Sequence, residues 1–292
     1  MLENAWAAHA LCALGLEGTP RRMAARSAVW RTEEVLIKAH EPVPWCEEAD
    51  LAALCSEMQL MEYLAEQGIQ VPLPVAPPIQ VDGVCCSAVR FLKGAHPPLN
   101  FPGAAGAAGV MLEQVHRALA AYAPPGGFVR PRWDRAHFER GMTRLEQAAQ
   151  QDRVDPGDLK AVARTLERAL RTLEGAPLQL IHGDATVANI LLTERGPALI
   201  DWSMTGWGFA AYDVGCVLAG ITNPEAAEAL LEAYGAMDRY QASCGMALAR
   251  LGSYMLFCLQ PEGGWVREGL HLFCHDWARG LQKGRPIGPL RN

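Results

Sequence analysis

The 292-residue sequence has no excess of positive charge, which excludes a general affinity for polyanions. Its 26 Lys and Arg residues are outnumbered by 32 Asp and Glu residues, and the formal net charge is -6. Phosphate backbones and anionic membrane surfaces attract proteins through clustered basic side chains. The sequence contains no basic cluster of that size, so we expect neither nucleic acid nor membrane among the partners.

Long hydrophobic runs and a regular cysteine framework are also missing. The most apolar predicted helix, about Met246 to Gln260, contains Arg250 and is shorter than the roughly 20 residues of a membrane-spanning helix. The first residues, MLENAWAAHALCALGLEG, have an acid and no Lys or Arg before their apolar part, unlike a signal peptide. The nine cysteines are odd in number and scattered, as is typical of reduced thiols. We therefore expect a cytoplasmic protein.

The pattern of predicted secondary structure changes near residue 95. Short strand-like runs dominate before it, and Asp82-Gly83 between two of them predicts a hairpin. One helix, from about Glu47 to Gln67, has apolar residues at helical spacing and Gly68 as its stop. Beyond residue 95 the periodicity predicts helices at about 106–122, 134–150, 156–174, 223–237, 240–260 and 265–282. The sequence thus predicts an α+β fold with a small antiparallel sheet and a larger, mostly helical remainder.

One stretch, QLIHGDATVANILLTERGPALIDWSMTG, interrupts the predicted helices with a hairpin and carries the polar residues of most interest. Asp184 is followed five positions later by Asn189 and preceded two positions earlier by His182. In phosphoryl transfer, such a carboxylate orients a hydroxyl nucleophile while the Asn oxygen holds a metal. Asp201, at the end of the hairpin, supplies a second hard oxygen ligand for Mg²⁺. We expect the hairpin to return the chain so that Asn189 and Asp201 face one metal.

A purely structural interpretation of these residues is also available. The HGD segment could form an Asx-type turn before a strand, and Asp201 could cap a helix. The second acid after a hairpin and the strand-rich first third favour the catalytic interpretation.

The segment HGDATVANILLTERGPALIDW, together with LEQVHRAL at 112–119 and EMQLMEYLAEQGIQVPLPV at 57–75, resembles the aminoglycoside phosphotransferase and choline kinase family. The resemblance covers nearly the whole chain. It implies a two-lobed, protein-kinase-like fold, with residues 1–93 as a nucleotide-binding lobe built on a five-stranded sheet. Residues 94–292 would form the helical catalytic and substrate lobe, and the cofactors would be ATP and Mg²⁺.

The resemblance also implies roles for individual residues. Asp184 looks like the catalytic base, and Asn189 and Asp201 look like the Mg²⁺ ligands. Lys38, in the strand VLIK, looks like the lysine that binds the α- and β-phosphates, with Glu57 as its ion-pair partner. Alternatively, Lys38 could be a solvated strand end and Glu57 an exposed helix acid.

The hinge between the lobes is predicted after the strand VCCSAV. There, backbone groups would meet the adenine edge, and the residues concerned are Val89, Arg90, Phe91 and Leu92. The alternative is an ordinary strand between the lobes.

Three features depart from protein kinases, and the last two of them bear on the acceptor. The expected phosphate loop, GTPRRMAARSAVW, has Gly18 but no GxGxxG, and position 183 is Gly where protein kinases carry Arg. Asp201 also leads through WSMTGWGFAAYD almost directly into an apolar helix, which leaves no room for a peptide-docking activation segment. Asp213, in this stretch, could support the catalytic loop or cap the following helix. The acceptor is therefore expected to be a small molecule rather than a protein.

The sequence does not identify that small molecule. Trp202 and Trp207 neighbour the predicted metal site and are candidates for contact with a cationic amine, whereas the C-terminal aromatic residues are more typical of a helical core. We predict a kinase that moves the γ-phosphoryl group of ATP to a hydroxyl of an aminoglycoside-like antibiotic, an amino alcohol or a sugar metabolite. The alternative is a non-catalytic nucleotide or small-molecule binding module, which only the weak phosphate loop favours.

Overall fold

The computed structural model describes residues 3–24, 28–40, 51–235 and 237–291. Tertiary contacts divide the chain into two compact units. The strand-rich unit comprises Met1–Ala95, Ala121–Pro131 and Leu191–Ser203. The helical unit comprises His96–Ala120, Arg132–Ile190 and Met204–Asn292.

Strands and helices follow one another in runs, an order typical of an α+β chain. The helices are α1 (Asn4–Ala13), α2 (Leu51–Glu66), α3 (Pro102–Ala121), α4 (Arg135–Gln150), α5 (Pro156–Leu173), α6 (Ala210–Leu218), α7 (Pro224–Tyr234), α8 (Arg239–Phe257), α9 (Val266–Phe273) and α10 (Arg279–Gln282). The strands are β1 (Arg21–Arg22), β2 (Val29–Arg31), β3 (Val35–His40), β4 (Pro74–Val81), β5 (Val84–Arg90), β6 (Gln179–Ile181), β7 (Ile190–Thr193), β8 (Gly196–Leu199) and β9 (Gly206–Gly208).

The strand-rich unit contains a five-stranded antiparallel sheet in the order β1-β2-β3-β5-β4. The predicted Asp82-Gly83 hairpin joins β4 to β5, with Val81 paired to Val84. Both turn residues have positive φ, 51° for Asp82 and 80° for Gly83. A two-residue hairpin turn of this kind requires such angles, so the prediction is confirmed for its physical reason.

A helix that the sequence reading did not identify, α1, packs on this sheet. Trp6 and Trp30 lie with ring centroids 5.3 Å apart, and the Trp30 Nε1–H donates to Asn4 Oδ1 at 3.0 Å. Ile37 and Cys86 complete the apolar layer between the helix and the sheet. Helix α1 has no side-chain cap and no polar face along its alanine-rich length, so its sequence lacks the usual helix signals.

Helix α2 confirms the predicted helix of the first third, although residues 47–50 of that prediction lie outside the described residues. Its buried face includes Leu54, Met58, Met61 and Leu64, as the periodicity predicts. The chain leaves the helix at Gly68, whose φ of 78° suits a glycine stop. Glu57 is among the buried residues of the helix.

Helices α3, α4, α5, α7 and α8 of the helical unit lie close to their predicted positions. Asp134 and Asp155 cap α4 and α5 through their side chains. Helices α6 and α8 cross at two glycines: a Cβ on Gly245 would lie 1.8 Å from the Ala211 oxygen, and one on Gly215 would lie 2.2 Å from the Gly245 carbonyl carbon. This close approach fixes α6, which carries a residue of the candidate site.

The helix predicted over 265–282 is confirmed, with a π-helical turn inside it. Helix α9, the π-helical turn (Cys274–Ala278) and α10 follow one another without a break, and a 3₁₀ turn (Pro261–Trp265) precedes them. The short pair β6 and β9 was not predicted as strands, because three residues are too few to show periodicity. Within the described residues, no helix is long and apolar enough to cross a membrane.

Candidate active site

The loop that contains Asp184 follows strand β6 directly. Strand β6 pairs antiparallel with β9, with Ile181 opposite Gly206. The Trp133 Nε1–H donates to the Met204 oxygen at 2.9 Å, which holds the chain just before β9. Gly183 has φ of 81°, and a Cβ there would lie 2.1 Å from that same oxygen. The glycine at position 183 is therefore required by the backbone.

Asp213, on α6, anchors this loop from behind. Its carboxylate is fully buried and accepts the His182 N–H at 2.7 Å and the Gly183 N–H at 2.8 Å. Burial raises the pKa of Asp213, but the hydrogen bond and charge of His116, followed by the effects of His182, outweigh it and hold the pKa below its ordinary value. Of the two roles predicted for Asp213, the structure shows support of the loop. The cap position of α6 is Phe209.

A second buried layer holds Asp213. The His116 Nε2–H donates to Asp213 Oδ2 at 3.0 Å, which leaves Nδ1 facing the Tyr234 hydroxyl at 2.9 Å. His116 is 4 % exposed and Tyr234 is 7 % exposed. The chain from Tyr234 to the His182 and Gly183 amides is thus a continuous hydrogen-bonded network inside the helical unit. Such networks stiffen the segment that they support.

Asp184 and Asn189 are in direct contact. The Asn189 Nδ2 group donates to Asp184 Oδ2 at 2.7 Å and to the Asp184 backbone oxygen at 2.9 Å. This use of Nδ2 fixes the orientation of the Asn189 amide, so its Oδ1 is the atom available to another ligand. Both side chains are half-buried, and the Asp184 N–H donates to His182 Nδ1 at 3.3 Å. The sequence pattern HxDxxxxN therefore describes one compact loop.

The strand-rich unit contains the other polar cluster. The Lys38 Nζ donates to Asp201 Oδ1 at 2.5 Å and to Ser203 Oγ at 3.1 Å, and the Ser203 hydroxyl donates to the same Asp201 oxygen at 2.7 Å. Asp201 is exposed and has φ of 59°, a left-handed conformation that Asp tolerates better than most residues. The structure thus places Lys38 against the carboxylate that the sequence predicts as a metal ligand.

Lys38 lies within β3 and not at its end, and His40 shares its face of the strand. His40 Nε2 lies 2.7 Å from Ser87 Oγ. Burial, and then the charge of Lys38, lower the pKa of His40 to about 3. His40 is therefore neutral at pH 7 and adds no charge beside Lys38.

The predicted ion pair between Lys38 and Glu57 is corrected by the structure. Glu57 Oε2 instead lies 3.4 Å from Arg130 Nη1, and both side chains are almost fully buried. Burial raises the pKa of Glu57 above its ordinary value, and the charges of Arg130 and then Lys38 only partly oppose this rise. Arg130 takes the partner position because its guanidinium reaches Glu57 inside the unit, while the Lys38 ammonium is held by Asp201 and Ser203.

The predicted hinge residues are the last two residues of strand β5 and the two residues that follow it. The Arg90 N–H donates to the Leu73 oxygen and the Phe91 N–H to the Glu34 oxygen, each at 2.7 Å, and Val89 pairs with Leu36 in the sheet. Within the described residues, no such bond is formed by the Leu92 N–H. Leu92 is therefore the member of this set whose amide is left for an external acceptor.

The two candidate substrate-contacting tryptophans differ. Trp202 is only 1 % exposed, and its Nε1–H donates to the Leu199 oxygen at 3.1 Å. The structure thus makes Trp202 a core residue and corrects the prediction that it faces a substrate, because no ring face is open to a ligand. Trp207, in β9, is half-buried and stays a prediction.

Sequence reasoning missed Arg130 and Ser203. Arg130 lies in the irregular segment GGFVRPRW, which has no periodicity to indicate burial. Ser203 follows Asp201 by two residues, and a single Ser carries no signal of its own. A buried arginine in a loop is recognised only once its carbonyl and carboxylate partners are located.

Comparison with known proteins identifies the family and the fold of the chain. Residues 24–244 match the model of the family described as the Phosphotransferase enzyme family. No curated protein sequence matches the chain. Three solved structures illustrate its similarity in fold.

The microcompartment-associated aminopropanol kinase shares 17% identity at a TM-score of 0.76, with 99% of each chain covered. The amicoumacin kinase hAmiN, solved with AMP-PNP and Ca²⁺, shares 13% identity at a TM-score of 0.68, with 92% of this chain and 90% of that chain covered. A choline/ethanolamine kinase family protein from Mesorhizobium loti shares 16% identity at a TM-score of 0.67, with 92% and 94% covered. The predicted kinase-like fold is confirmed.

Proposed function

Because the chain belongs to the phosphotransferase enzyme family, and is thus a small-molecule kinase with an alcohol group as acceptor, we propose that its phosphoryl donor is ATP and its cofactor Mg²⁺. The observation that carries the proposal is the Asp184 loop. Its carboxylate is oriented by Asn189, and its backbone is fixed on the buried Asp213. Catalysis of phosphoryl transfer consists mostly of positioning and charge neutralisation, and this loop is suited to the positioning.

Asp184 is the proposed catalytic base. Its carboxylate orients the acceptor hydroxyl and takes its proton as the new bond forms between the acceptor oxygen and the γ-phosphorus. The bond between the γ-phosphorus and its bridging oxygen breaks, and ADP leaves with that oxygen. A carboxylate suits this task because the acceptor proton becomes acidic only late in the transfer.

Asn189 and Asp201 are the proposed metal ligands. Asn189 offers Oδ1, because its Nδ2 is engaged with Asp184, and Asp201 offers an exposed carboxylate. Both are hard oxygen donors of the kind that Mg²⁺ prefers. Mg²⁺ bound there would neutralise the charge on the transferring phosphoryl group.

Lys38 is the proposed phosphate-binding lysine. Its ammonium now contacts Asp201 and Ser203, and it would exchange part of this contact for nucleotide phosphate oxygens. At the hinge, the Leu92 amide, which has no backbone acceptor among the described residues, is the proposed donor to the adenine edge, with Val89, Arg90 and Phe91 shaping the strand that presents it. In this proposal residues 1–93 form the nucleotide-binding lobe, and residues 94–292 form the catalytic and substrate lobe.

The proposed acceptor is a hydroxylated small molecule that carries an amine, such as an amino alcohol or an aminoglycoside. The similarity in fold to an aminopropanol kinase supports testing amino alcohols first. Trp207 is the candidate for contact with the amine, since an aromatic ring can face a cation.

The test measures ADP release with Mg²⁺ and ATP against 1-aminopropan-2-ol, ethanolamine, choline, aminoglycosides and simple sugars, with GTP as a second donor. We expect one acceptor to raise ADP release well above the rate without acceptor, and Asp184→Asn to lose that rise. Release that ignores every acceptor and persists in Asp184→Asn would contradict the proposal.

A further inference from the structure

We propose that Arg130 is a positioning residue that fixes the conformation of the Asp201 segment by tying it to helix α2. This inference rests on the proposed function, because it concerns the metal ligand named there. It also follows from a feature that the sequence does not indicate: the buried partner of Glu57 is Arg130 and not Lys38.

The Arg130 guanidinium donates hydrogen bonds both to helix α2 and to the segment that follows Asp201. Nη2 donates to the Ser203 oxygen at 2.6 Å and to the Trp202 oxygen at 3.2 Å. Nη1 donates to the Ala53 oxygen at 3.1 Å and to Glu57 Oε2 at 3.4 Å. The first two acceptors directly follow Asp201 in the chain, and the last two lie on α2. One side chain thus joins the helix to the segment.

The chemistry of the side chain fits this task. A guanidinium presents five N–H groups in a rigid planar fork, whereas an ammonium is a point charge on a flexible stem. The Arg130 side chain is 3% exposed, and a buried charge needs both a counter-ion and hydrogen bonds. Glu57, at 6% side-chain exposure, supplies the counter-ion, and the three backbone oxygens supply the hydrogen bonds.

The segment needs such a restraint because Asp201 is held in an unfavourable conformation. Its φ of 59° is costly for a residue with a side chain and persists only where neighbouring contacts determine it. The Lys38 contact to Asp201 is partly exposed to solvent, and exposed ion pairs restrain a side chain only weakly. The buried contacts of Arg130 to the next two carbonyls are therefore the stronger restraint.

A consequence for Glu57 follows. If Glu57 paired with Lys38, its replacement would act first on phosphate binding. Because it pairs with Arg130, its replacement should act first on the Asp201 segment and on metal binding. The two residues Glu57 and Arg130 should therefore behave as one unit.

The first experiment needs neither nucleotide nor turnover. The chain has four lysines, Lys38, Lys93, Lys160 and Lys283, so trace acetylation followed by peptide mass spectrometry resolves each of them. In Arg130→Met we expect the Lys38-to-Lys160 acetylation ratio to rise roughly threefold, which corresponds to the loss of an exposed ion pair. Arg130→Lys should give a smaller rise.

The matched control is Arg144→Met. Arg144 also donates to two backbone oxygens, those of Met255 at 2.9 Å and Leu256 at 3.3 Å, but it does so within the helical unit. This variant should lower the melting temperature and leave the Lys38 ratio unchanged. An unchanged ratio in folded Arg130→Met and Arg130→Lys would overturn the proposal.

The second experiment measures Mn²⁺ affinity by electron paramagnetic resonance with AMP-PNP present. We expect Arg130→Met and Glu57→Gln each to weaken Mn²⁺ binding at least about tenfold, as losses around metal ligands do. The double variant should be little worse than either single one, because the residues act together. The pairing would be overturned if the losses of Mn²⁺ affinity in Glu57→Gln and Arg130→Met multiplied in the double variant. It would also be overturned if Glu57→Gln were non-additive with Lys38→Met but additive with Arg130→Met. Failure of the unsubstituted chain to bind Mn²⁺ would contradict the proposed metal role, while the acetylation ratio would still decide the role of Arg130.

Discussion

The two segments that carry the proposed catalytic and metal-binding acids are held in different ways. The Asp184 loop is fixed through its backbone, because two consecutive amides donate to the buried Asp213. The Asp201 segment is fixed through two carbonyls that accept from Arg130 and through an exposed lysine contact. The carboxylate of Asp213 thus holds the first segment, and the guanidinium of Arg130 holds the second.

This difference shows two ways in which the backbone beside a reactive side chain can be restrained. In both segments the restraining group contacts the main chain of residues next to the acid. The carboxylates themselves have other partners: Asp184 Oδ2 accepts from Asn189, and Asp201 Oδ1 accepts from Lys38 and Ser203. The Asp213 restraint is wholly buried, whereas the second segment combines the buried contacts of Arg130 with the partly exposed contact of Lys38, so the two segments should respond differently to substitution.

The largest effect should come from Asp184→Asn. The substitution keeps the shape of the side chain but removes the base, so kcat should fall about 100- to 10,000-fold. Steady-state kinetics measure the fall, and calorimetry should find nucleotide affinity nearly unchanged. Asp276→Asn, at an exposed position, is the control. A kcat within a factor of two of the parent value would rule out Asp184 as the base.

Asp213→Asn tests the buried restraint of the first segment. It removes the buried negative charge and replaces one of the two accepting oxygens by an NH₂ donor, so the two backbone amides and His116 can no longer all be satisfied, and the free energy of unfolding should fall by about 3–5 kcal/mol. Urea denaturation measures it. Asp155→Asn, where Asn can still cap α5, should change the free energy little. A small loss in Asp213→Asn would show that the loop does not depend on this anchor.

Lys38→Met tests the exposed restraint of the second segment and the proposed phosphate contact. Loss of a charged hydrogen bond to phosphate should raise KM for ATP about 10- to 100-fold. The free energy of unfolding should change little, since the Lys38 pair with Asp201 is partly exposed. Lys160→Met is the exposed control. An unchanged KM for ATP would remove Lys38 from the nucleotide site.

Acid should weaken the helical unit through His137. This side chain is 2 % exposed, and burial, then Arg140, lower its pKa to about 3. Between pH 6.5 and 3 the unfolded chain binds a proton at His137 that the folded chain does not bind. The free energy of unfolding therefore decreases as the pH is lowered, by up to about 1.4 kcal/mol per pH unit. Denaturation of His137→Gln at several pH values should show a shallower slope. An identical slope would mean that His137 is protonated in the folded chain.

The smallest effect should come from Ser203→Ala. The hydroxyl makes two contacts, to Asp201 and Lys38, in a partly exposed position. Its loss should cost about 1 kcal/mol or less and raise the Mg²⁺ concentration for half-maximal activity a few-fold. If Ser203→Ala weakened metal binding more than Arg130→Met does, the Lys38 and Ser203 contacts, and not those of Arg130, would be the stronger restraint on the Asp201 segment.

Local patterns in the sequence predict much of the fold and part of the site. The Asp82-Gly83 turn and helix α2 depend on backbone angles and periodicity, both of which the residues themselves encode. The contact between Asp184 and Asn189 is likewise local, since five residues separate them.

Contacts between distant residues were not predictable in this way. The sequence could not show which cation pairs with Glu57, because Lys38 and Arg130 are both far from it in the chain. It also could not show that Trp202 points into the core while Trp207 does not. Such choices depend on three-dimensional packing.

Phosphorus-31 NMR of the reaction mixture tests the central claim most directly. With ATP, Mg²⁺ and the acceptor that raises ADP release, we predict a new phosphomonoester resonance that grows with that of ADP and is lost in Asp184→Asn. Inorganic phosphate as the only new resonance, or a phosphomonoester that Asp184→Asn forms at the parent rate, would contradict transfer to a small-molecule hydroxyl by this site.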